Sequence, residues 1–228
     1  MSARPGSAAP TLAEVARDAR RGAASRAEPA GGPAPDAAAP APRGCLVAVV
    51  GPSGAGKDTL LSAARDALAG DPRFLFLRRC ITRPAEAGGE EHQPLSREAF
   101  LAAREAGQFA LWWEAHGLFY GIPRAMEAEL AAGRVTVANL SRRVLAEAAT
   151  RLPLHVLDIT APPDLLAARL RGRGREDAAD IARRLAREAP LPAGLPVTRV
   201  LNNGSPAEGA ARVLAALREA ADRLAAPA

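Results

Sequence analysis

A glycine-rich segment containing the only lysine of the chain is the strongest chemical signal in the sequence. Residues 51–57, GPSGAGK, fit the pattern GxxxxGK, follow an apolar run at residues 46–50 and precede leucines at helical spacing. Glycines let successive backbone N–H groups point inward, the following helix adds positive charge at its amino end, and the lysine reaches the outer phosphates. The pattern predicts a P-loop that binds a nucleoside triphosphate. Its residues are Gly51, Pro52, Ser53, Gly54, Ala55, Gly56, Lys57, Asp58 and Thr59.

The residue after this lysine departs from the usual P-loop pattern. Asp58 stands where a Ser or Thr hydroxyl usually meets magnesium. Its carboxylate could hold the metal through water, Thr59 could contribute instead, or Asp58 could be an acidic residue that the dipole favours at a helix start. We expect ATP and Mg²⁺ as cofactors, with Asp58 as the candidate magnesium ligand.

A second polar cluster consists of residues 79–84, RCITRP, and residues 88–92, GGEEH. Arg83 leaves a predicted strand and enters a polar loop here. A bidentate guanidinium at this place could hold a phosphate of a second substrate. An ion pair in an exposed loop is the other interpretation of Arg83.

A third cluster, residues 112–123 with the sequence WWEAHGLFYGIP, holds most of the rarer side chains. For Trp112 and Phe119 we expect burial in the core beneath the loop. His116 and Tyr120 are candidates for ligand binding, because a polar tip beside a glycine can approach a ligand closely.

Arginines recur in the last third of the chain and allow three interpretations. They could form a solvated helix face or an RNA-contacting patch. In a P-loop protein they could instead belong to a mobile lid that closes over two phosphorylated substrates and neutralises charge on the transferring group. These arginines are Arg169, Arg171, Arg173, Arg175, Arg183, Arg184 and Arg187.

The elements that must position these residues alternate between apolar runs of strand length and segments of helical periodicity. The predicted strands cover residues 46–50, 74–77, 135–138, 154–159 and 197–201. The predicted helices cover residues 123–132, 142–152, 163–170, 178–188 and 206–224. Buried strands alternating with helices predict an α/β fold with a parallel central sheet, here a three-layer P-loop sandwich. The polar stretch at about 82–123 breaks the alternation and indicates an insertion.

Length and composition set the organisation and exclude several classes. The Ala/Pro-rich residues 1–43 have too few large apolar side chains to fold, so we expect a disordered tail followed by one enzyme-sized domain at 44–228. No apolar stretch is long enough to span a membrane. Two cysteines without a CxxC pair exclude a zinc ribbon and favour a reducing, cytoplasmic setting. The net charge of +5 is too small to indicate nucleic-acid binding. The oligomeric state is left open.

Together these motifs resemble those of a known fold and of a known family. The order of P-loop, ITR loop, HGxxYG segment and arginine lid resembles the guanylate kinase fold over essentially all of residues 44–228. The segments RxITRPAxAGGExH, WxAHGLxYGIP and RLxxRGRE more closely resemble the ribose 1,5-bisphosphate phosphokinase family of bacterial phosphonate degradation, as does the aspartate after the P-loop lysine. The resemblance implies transfer of the γ-phosphoryl group of ATP to the 1-phosphate of ribose 1,5-bisphosphate, giving ADP and 5-phosphoribosyl 1-diphosphate. It also implies small-molecule partners only, with no nucleic acid and no membrane.

The same resemblance implies the roles of individual residues. Because the acceptor is an ionised phosphate oxygen, catalysis needs no general base and consists of alignment and charge neutralisation. The implied catalytic residues are Lys57, Arg83, Arg173 and Arg175, the last two in a lid at about 171–182. The implied substrate-binding residues are Arg83, His92, His116, Tyr120, Asn139 and Arg184.

Two other functions remain open from the sequence. A guanylate or other nucleoside monophosphate kinase would need guanine-binding acids, but Leu111 and Asn139 stand at those positions. It would also need a second phosphate-binding Arg near Glu86 and a Tyr near His92. A catalytically silent, guanylate-kinase-like interaction module is the other alternative, and the intact P-loop argues against it.

Overall fold

The computed structural model describes residues 44–85, 90–171 and 189–225. The N-terminal segment 1–43, the predicted helix at 178–188 and most of the predicted lid lie outside these ranges. So do Arg173, Arg175 and Arg184.

The described residues alternate between strands and helices along the chain. The strands are β1 Cys45–Val50, β2 Phe74–Phe76, β3 Cys80–Ile81, β4 Gln93–Pro94, β5 Phe109–Ala115, β6 Leu118–Pro123, β7 Val135–Asn139, β8 Leu154–Thr160 and β9 Val197–Leu201. The helices are α1 Lys57–Ala67, α2 Arg97–Glu105, α3 Met126–Ala131, α4 Leu145–Arg151, α5 Pro163–Arg171 and α6 Pro206–Ala225.

Five parallel strands form the central sheet in the order β2-β7-β1-β8-β9. All six residues of β1 are buried, as expected of a strand covered on both faces. Each of the five strands predicted from apolar runs is present. Because the strands are parallel, their carboxyl ends meet at one edge, where open α/β sheets bind ligands.

Alternate residues of β1 enter different cores. Val47 and Val49 pack with apolar residues of α1 and α6, whereas Leu46, Ala48 and Val50 pack with apolar residues of α3 and α4. The result is a layer of helices, a sheet and a second layer of helices, which confirms the predicted α/β class.

The polar stretch at about 82–123 contributes to a second, smaller sheet. Its strands have the order β4-β3-β6-β5, with β5 and β6 antiparallel. The turn between them is His116-Gly117, and both residues have positive φ, 54° and 71°. This is the backbone that a tight two-residue hairpin turn requires, and glycine adopts it without strain. Leu111, Trp113 and Ile122 attach this sheet to the core on the α3 and α4 side.

Two helices differ from their predicted bounds for local reasons. The segment predicted from residue 123 begins only at Met126, because β6 continues to Pro123. The segment predicted at 142–152 starts with a 3₁₀ turn, Arg142–Val144, and continues as α4. Across the described ranges, no helix has the length and apolar character that crossing a membrane requires.

Both cysteines are buried and free. Burial raises the pKa of the Cys45 thiol to about 11 and that of the Cys80 thiol to about 12. Because the thiolate is the reactive form, neither side chain is suited to nucleophilic chemistry at neutral pH.

Candidate active site

The P-loop connects β1 to α1 and bends at three glycines. Gly51, Gly54 and Gly56 have φ of 143°, 86° and 88°, values that side chains rarely tolerate. A Cβ on Gly51 would lie 1.9 Å from the carbonyl oxygen of Ile159. The loop therefore depends on glycine both for its torsions and for its close approach to β8.

Lys57 is the first residue of α1 and folds back over the loop. Its Nζ donates to the carbonyl oxygens of Gly51 at 2.7 Å and Pro52 at 3.0 Å. The ammonium group thus lies at the mouth of the loop, where the predicted phosphates would bind.

Asn202, just after β9, supports the P-loop from behind. Its side chain is 4% exposed, and Nδ2 donates to the carbonyl oxygen of Ala55 at 2.8 Å. Its backbone N–H donates to the Thr160 carbonyl oxygen at 2.7 Å. A Cβ on Gly56 would lie 2.7 Å from Asn202 Nδ2, so the two residues fit only with glycine at 56. Sequence analysis missed this residue, because nothing local marks a contact across 147 positions.

We expect Asn202→Ala to raise the KM for ATP about tenfold, since a buried carbonyl oxygen of the loop loses its donor. The matched control is Asn203→Ala, because Asn203 is exposed and contacts Arg212 rather than the loop. Steady-state kinetics with varied ATP measure the difference. Equal KM values for the two variants would contradict a supporting role for Asn202.

A pocket of about 380 Å³ adjoins the P-loop on the side of α1. Asp58 and Thr59 of the first turn of α1 lie on one wall, and Asn139 at the carboxyl end of β7 lies on another. Asn139 Nδ2 donates to Asp58 Oδ1 at 3.3 Å and to Glu90 Oε2 at 3.2 Å. The pocket therefore holds carboxylates beside the position where phosphates are expected. Its lining is Asp58, Thr59, Leu61, Ser62, Arg65, Phe76, Leu77, Glu90, Glu91, Val137 and Asn139.

Arg79 fixes Glu90 in the lining of the pocket. Its Nε donates to Glu90 Oε1 at 2.6 Å. The guanidinium lies 5.6 Å and 5.0 Å from the ring centres of Trp113 and Tyr120, which stack on each other at 5.3 Å. Sequence analysis gave neither Arg79 nor Glu90 a role, although both lie in the segments quoted above.

Arg83 and His92, both predicted to bind substrate, lie together. Arg83 Nη2 is 3.3 Å from His92 Nδ1, and His92 Nε2 is 3.1 Å from the Arg83 carbonyl oxygen. Within the described residues, the buried Nε of Arg83 has no hydrogen-bond partner. A buried donor without an acceptor is costly, and an anionic ligand would satisfy it.

Of the two aromatic residues expected in the core, Phe119 and Trp112, one is buried and the other is exposed. Phe119 is buried against Phe100 and Phe109, as predicted. The prediction of burial for Trp112 is wrong. Trp112 is 40% exposed and stacks under Arg104, because it lies on the outer face of β5.

His116 and Tyr120 occupy different surroundings. His116 is exposed at the tip of the β5–β6 hairpin, while Tyr120 is half-buried beside Arg79. Their predicted contacts with substrate stay predictions.

Helix α5 brings the start of the arginine run to the P-loop. Arg169 Nη1 lies 3.5 Å from the Gly54 carbonyl oxygen, and Leu170 packs where a Cβ on Gly54 would be. The carboxyl-terminal part of α5 therefore lies beside the P-loop.

Asp158, near the carboxyl end of β8, is 5% exposed and forms ion pairs. Its Oδ1 accepts from Arg142 Nη2 at 2.7 Å, and Arg199 Nε lies 3.7 Å from Oδ2. A carboxylate held by two arginines is suited to a structural role, because a buried charge requires such partners.

The residues of the site fit a magnesium ion. Asp58 supplies an exposed carboxylate oxygen directly after Lys57, and Thr59 supplies a hydroxyl. No group of three or more His, Cys, Asp or Glu that could hold a metal occurs in the part of the chain the structure describes. Magnesium in phosphate sites needs no such group, since it takes one or two carboxylates and completes its shell with phosphate oxygens and water.

Comparison with solved structures identifies the fold. No protein-family model matches the chain. The crystal structure of guanylate kinase from Anaplasma phagocytophilum covers 77% of this chain and 85% of that one, with a TM-score of 0.56 and 20% identity. The fold is therefore that of a guanylate-kinase-like P-loop protein.

Relatives found by sequence comparison identify the family to which the chain belongs within the guanylate-kinase-like fold. The ribose 1,5-bisphosphate phosphokinase PhnN of Methylobacterium radiotolerans is 51% identical over 176 residues, which are 77% of this chain and 98% of that protein. The protein of the same name from Brucella melitensis is 53% identical over 148 residues, 64% of this chain and 77% of the relative. The chain belongs to the ribose 1,5-bisphosphate phosphokinase family, and it is a phosphotransferase.

Proposed function

We propose that this protein phosphorylates ribose 1,5-bisphosphate with ATP in phosphonate degradation. An oxygen of the 1-phosphate bonds to the γ-phosphorus of ATP as the bond from that phosphorus to the β–γ bridging oxygen breaks. The bridging oxygen and its electron pair leave with ADP. The other product is 5-phosphoribosyl 1-diphosphate, and ATP and the sugar phosphate are the small-molecule partners.

The pocket beside α1 is the observation that carries the proposal. It shares Asp58 and Thr59 with the start of the P-loop helix, so an acceptor bound there has a phosphate close to the donor. Leu111, at the position of a guanine-binding acid, is 1% exposed in the core instead of lining the pocket. The carboxylate and amide groups of the wall can accept hydrogen bonds from hydroxyl groups of a sugar, and relatives that share half of the sequence are named for this substrate.

Charge neutralisation accounts for the chemistry. Lys57 supplies a point charge to the phosphates of ATP, and Arg83 supplies the buried Nε–H and the rest of its guanidinium to a phosphate of the acceptor. Asp58, directly or through water, and Thr59 would hold magnesium, which when bound neutralises charge on the transferring phosphates. Arg173 and Arg175 lie outside the described residues, and their action from a lid stays a prediction.

A comparison of two acceptors tests the proposal. ADP release is measured with ATP and either ribose 1,5-bisphosphate or GMP at equal concentrations. We expect rapid release with the sugar phosphate and release near background with GMP. Efficient GMP phosphorylation would contradict the proposal, as would the absence of turnover with ribose 1,5-bisphosphate.

The role proposed for Arg83 predicts a specific kinetic pattern. We expect Arg83→Ala to raise the KM for ribose 1,5-bisphosphate about ten- to a hundredfold, because one charge-assisted phosphate contact is lost. The KM for ATP should change little. Arg104→Ala is the control, since Arg104 stacks on Trp112 at the outer surface. A larger change in the KM for ATP than in that for the acceptor would place Arg83 on the donor instead.

A further inference from the structure

We propose that Glu90 determines the sugar specificity of the acceptor site by accepting a hydrogen bond from a ring hydroxyl at C2 or C3 of the acceptor. This inference rests on the proposed function and assigns the residue that recognises the uncharged part of the substrate.

Glu90 lies close to the first turn of α1, where the acceptor must approach the ATP bound to the P-loop. Through Asn139 Nδ2 its Oε2 connects to Asp58 Oδ1, so the carboxylate is one side chain away from the first turn of α1. All three residues line the pocket of about 380 Å³. A sugar phosphate that presents its 1-phosphate to the P-loop places its ring beside this group.

The carboxylate is held in one orientation before any ligand binds. The side chains of Glu90 and Arg79 are 16% and 13% exposed, and Arg79 Nε donates to Oε1 at 2.6 Å. The stacked rings of Trp113 and Tyr120 in turn support Arg79. A preorganised acceptor discriminates between ligands better than a mobile one, because little entropy is lost on binding.

Charge decides which part of the substrate faces this wall. Three acids, Asp58, Glu90 and Glu91, line the pocket together with one arginine, Arg65, which is paired with Glu91. A phosphate against Asp58 and Glu90 would therefore be repelled. The phosphates therefore belong with Lys57 and Arg83, and the hydroxyl-bearing ring belongs with the carboxylates. Each oxygen of an ionised carboxylate can accept about two hydrogen bonds. Both Nε and Nη2 of Arg79 contact Oε1, whereas Oε2 accepts only from Asn139 among the described residues and keeps capacity for a hydroxyl group.

The test compares acceptors that differ by one hydroxyl group. We measure kcat/KM for ribose 1,5-bisphosphate and for its 2-deoxy and 3-deoxy analogues, in the unaltered protein and in Glu90→Gln. We expect the unaltered protein to prefer the ribose compound over at least one analogue by roughly ten- to a hundredfold. In Glu90→Gln that preference should fall to within about threefold, through loss of activity on the ribose compound alone.

Two controls separate this role from a general defect. Glu114→Gln makes the same change at an exposed position of β5 and should keep the preference. The affinity of Glu90→Gln for ATP, measured by titration calorimetry, should equal that of the unaltered protein, since the P-loop is untouched.

The outcomes are distinct. An equal loss of activity on all three acceptors would overturn the inference, as would activity of Glu90→Gln restored by high magnesium, which would make Glu90 a metal-linked residue. Unaltered protein that treats the three acceptors alike would also overturn it, while leaving the proposed function intact. Absence of turnover with ribose 1,5-bisphosphate in the unaltered protein would contradict the proposed function itself.

Discussion

Lys57→Ala is expected to lower kcat on the order of a thousandfold, because removing a preorganised charge from a phosphoryl-transfer site costs two to three orders of magnitude or more. The ammonium group lies at the mouth of the P-loop, 2.7 Å from the Gly51 carbonyl oxygen, and packs no core. The fold should therefore survive the change. Single-turnover measurements with saturating ATP and acceptor give the loss directly.

Lys57→Arg is the informative companion to this variant. It keeps the positive charge but replaces a compact point charge with a planar fork, which the tight glycine loop cannot accommodate in the same place. We expect Lys57→Arg to lose phosphoryl transfer as well, while its circular dichroism spectrum and melting temperature resemble those of the unaltered protein. Retention of a tenth of normal turnover by Lys57→Ala would refute the assignment of the P-loop.

Leu111→Glu is expected to destabilise the fold strongly and to gain no activity on GMP. Leu111 is 1% exposed and shares a core with Trp113 and Ile122. An unpaired carboxylate at such a place costs about 3–5 kcal/mol. A loss of that size lowers the melting temperature by roughly 10 °C in a chain of this length. Differential scanning calorimetry measures it.

A neighbouring residue provides the control for this experiment. Trp112 lies on the opposite, exposed face of β5, so Trp112→Glu should change the melting temperature far less. A Leu111→Glu variant that melts normally and phosphorylates GMP would mean that position 111 faces the acceptor pocket. Phosphorylation of GMP would then be the better interpretation of the site.

The features that sequence analysis predicted well depend on residues close together in the chain. GPSGAGK, its preceding strand and its following helix form one contiguous unit, and apolar runs are enough to indicate the parallel strands. Asn202 and Glu90 act across the fold, with partners 147 and 49 positions away, so no local spacing marks them. The prediction that Trp112 is buried was wrong for a different reason. Burial on β5 alternates, and an aromatic side chain alone does not tell which face it occupies.

Identification of the phosphorylated product by ³¹P NMR tests the central claim most directly. After incubation of the protein with ATP, magnesium and ribose 1,5-bisphosphate, we predict the two coupled resonances of a diphosphate on C1, an unchanged 5-phosphate resonance and one equivalent of ADP. A spectrum in which the sugar keeps two phosphomonoester resonances while GMP, added in parallel, is converted to GDP would contradict the account.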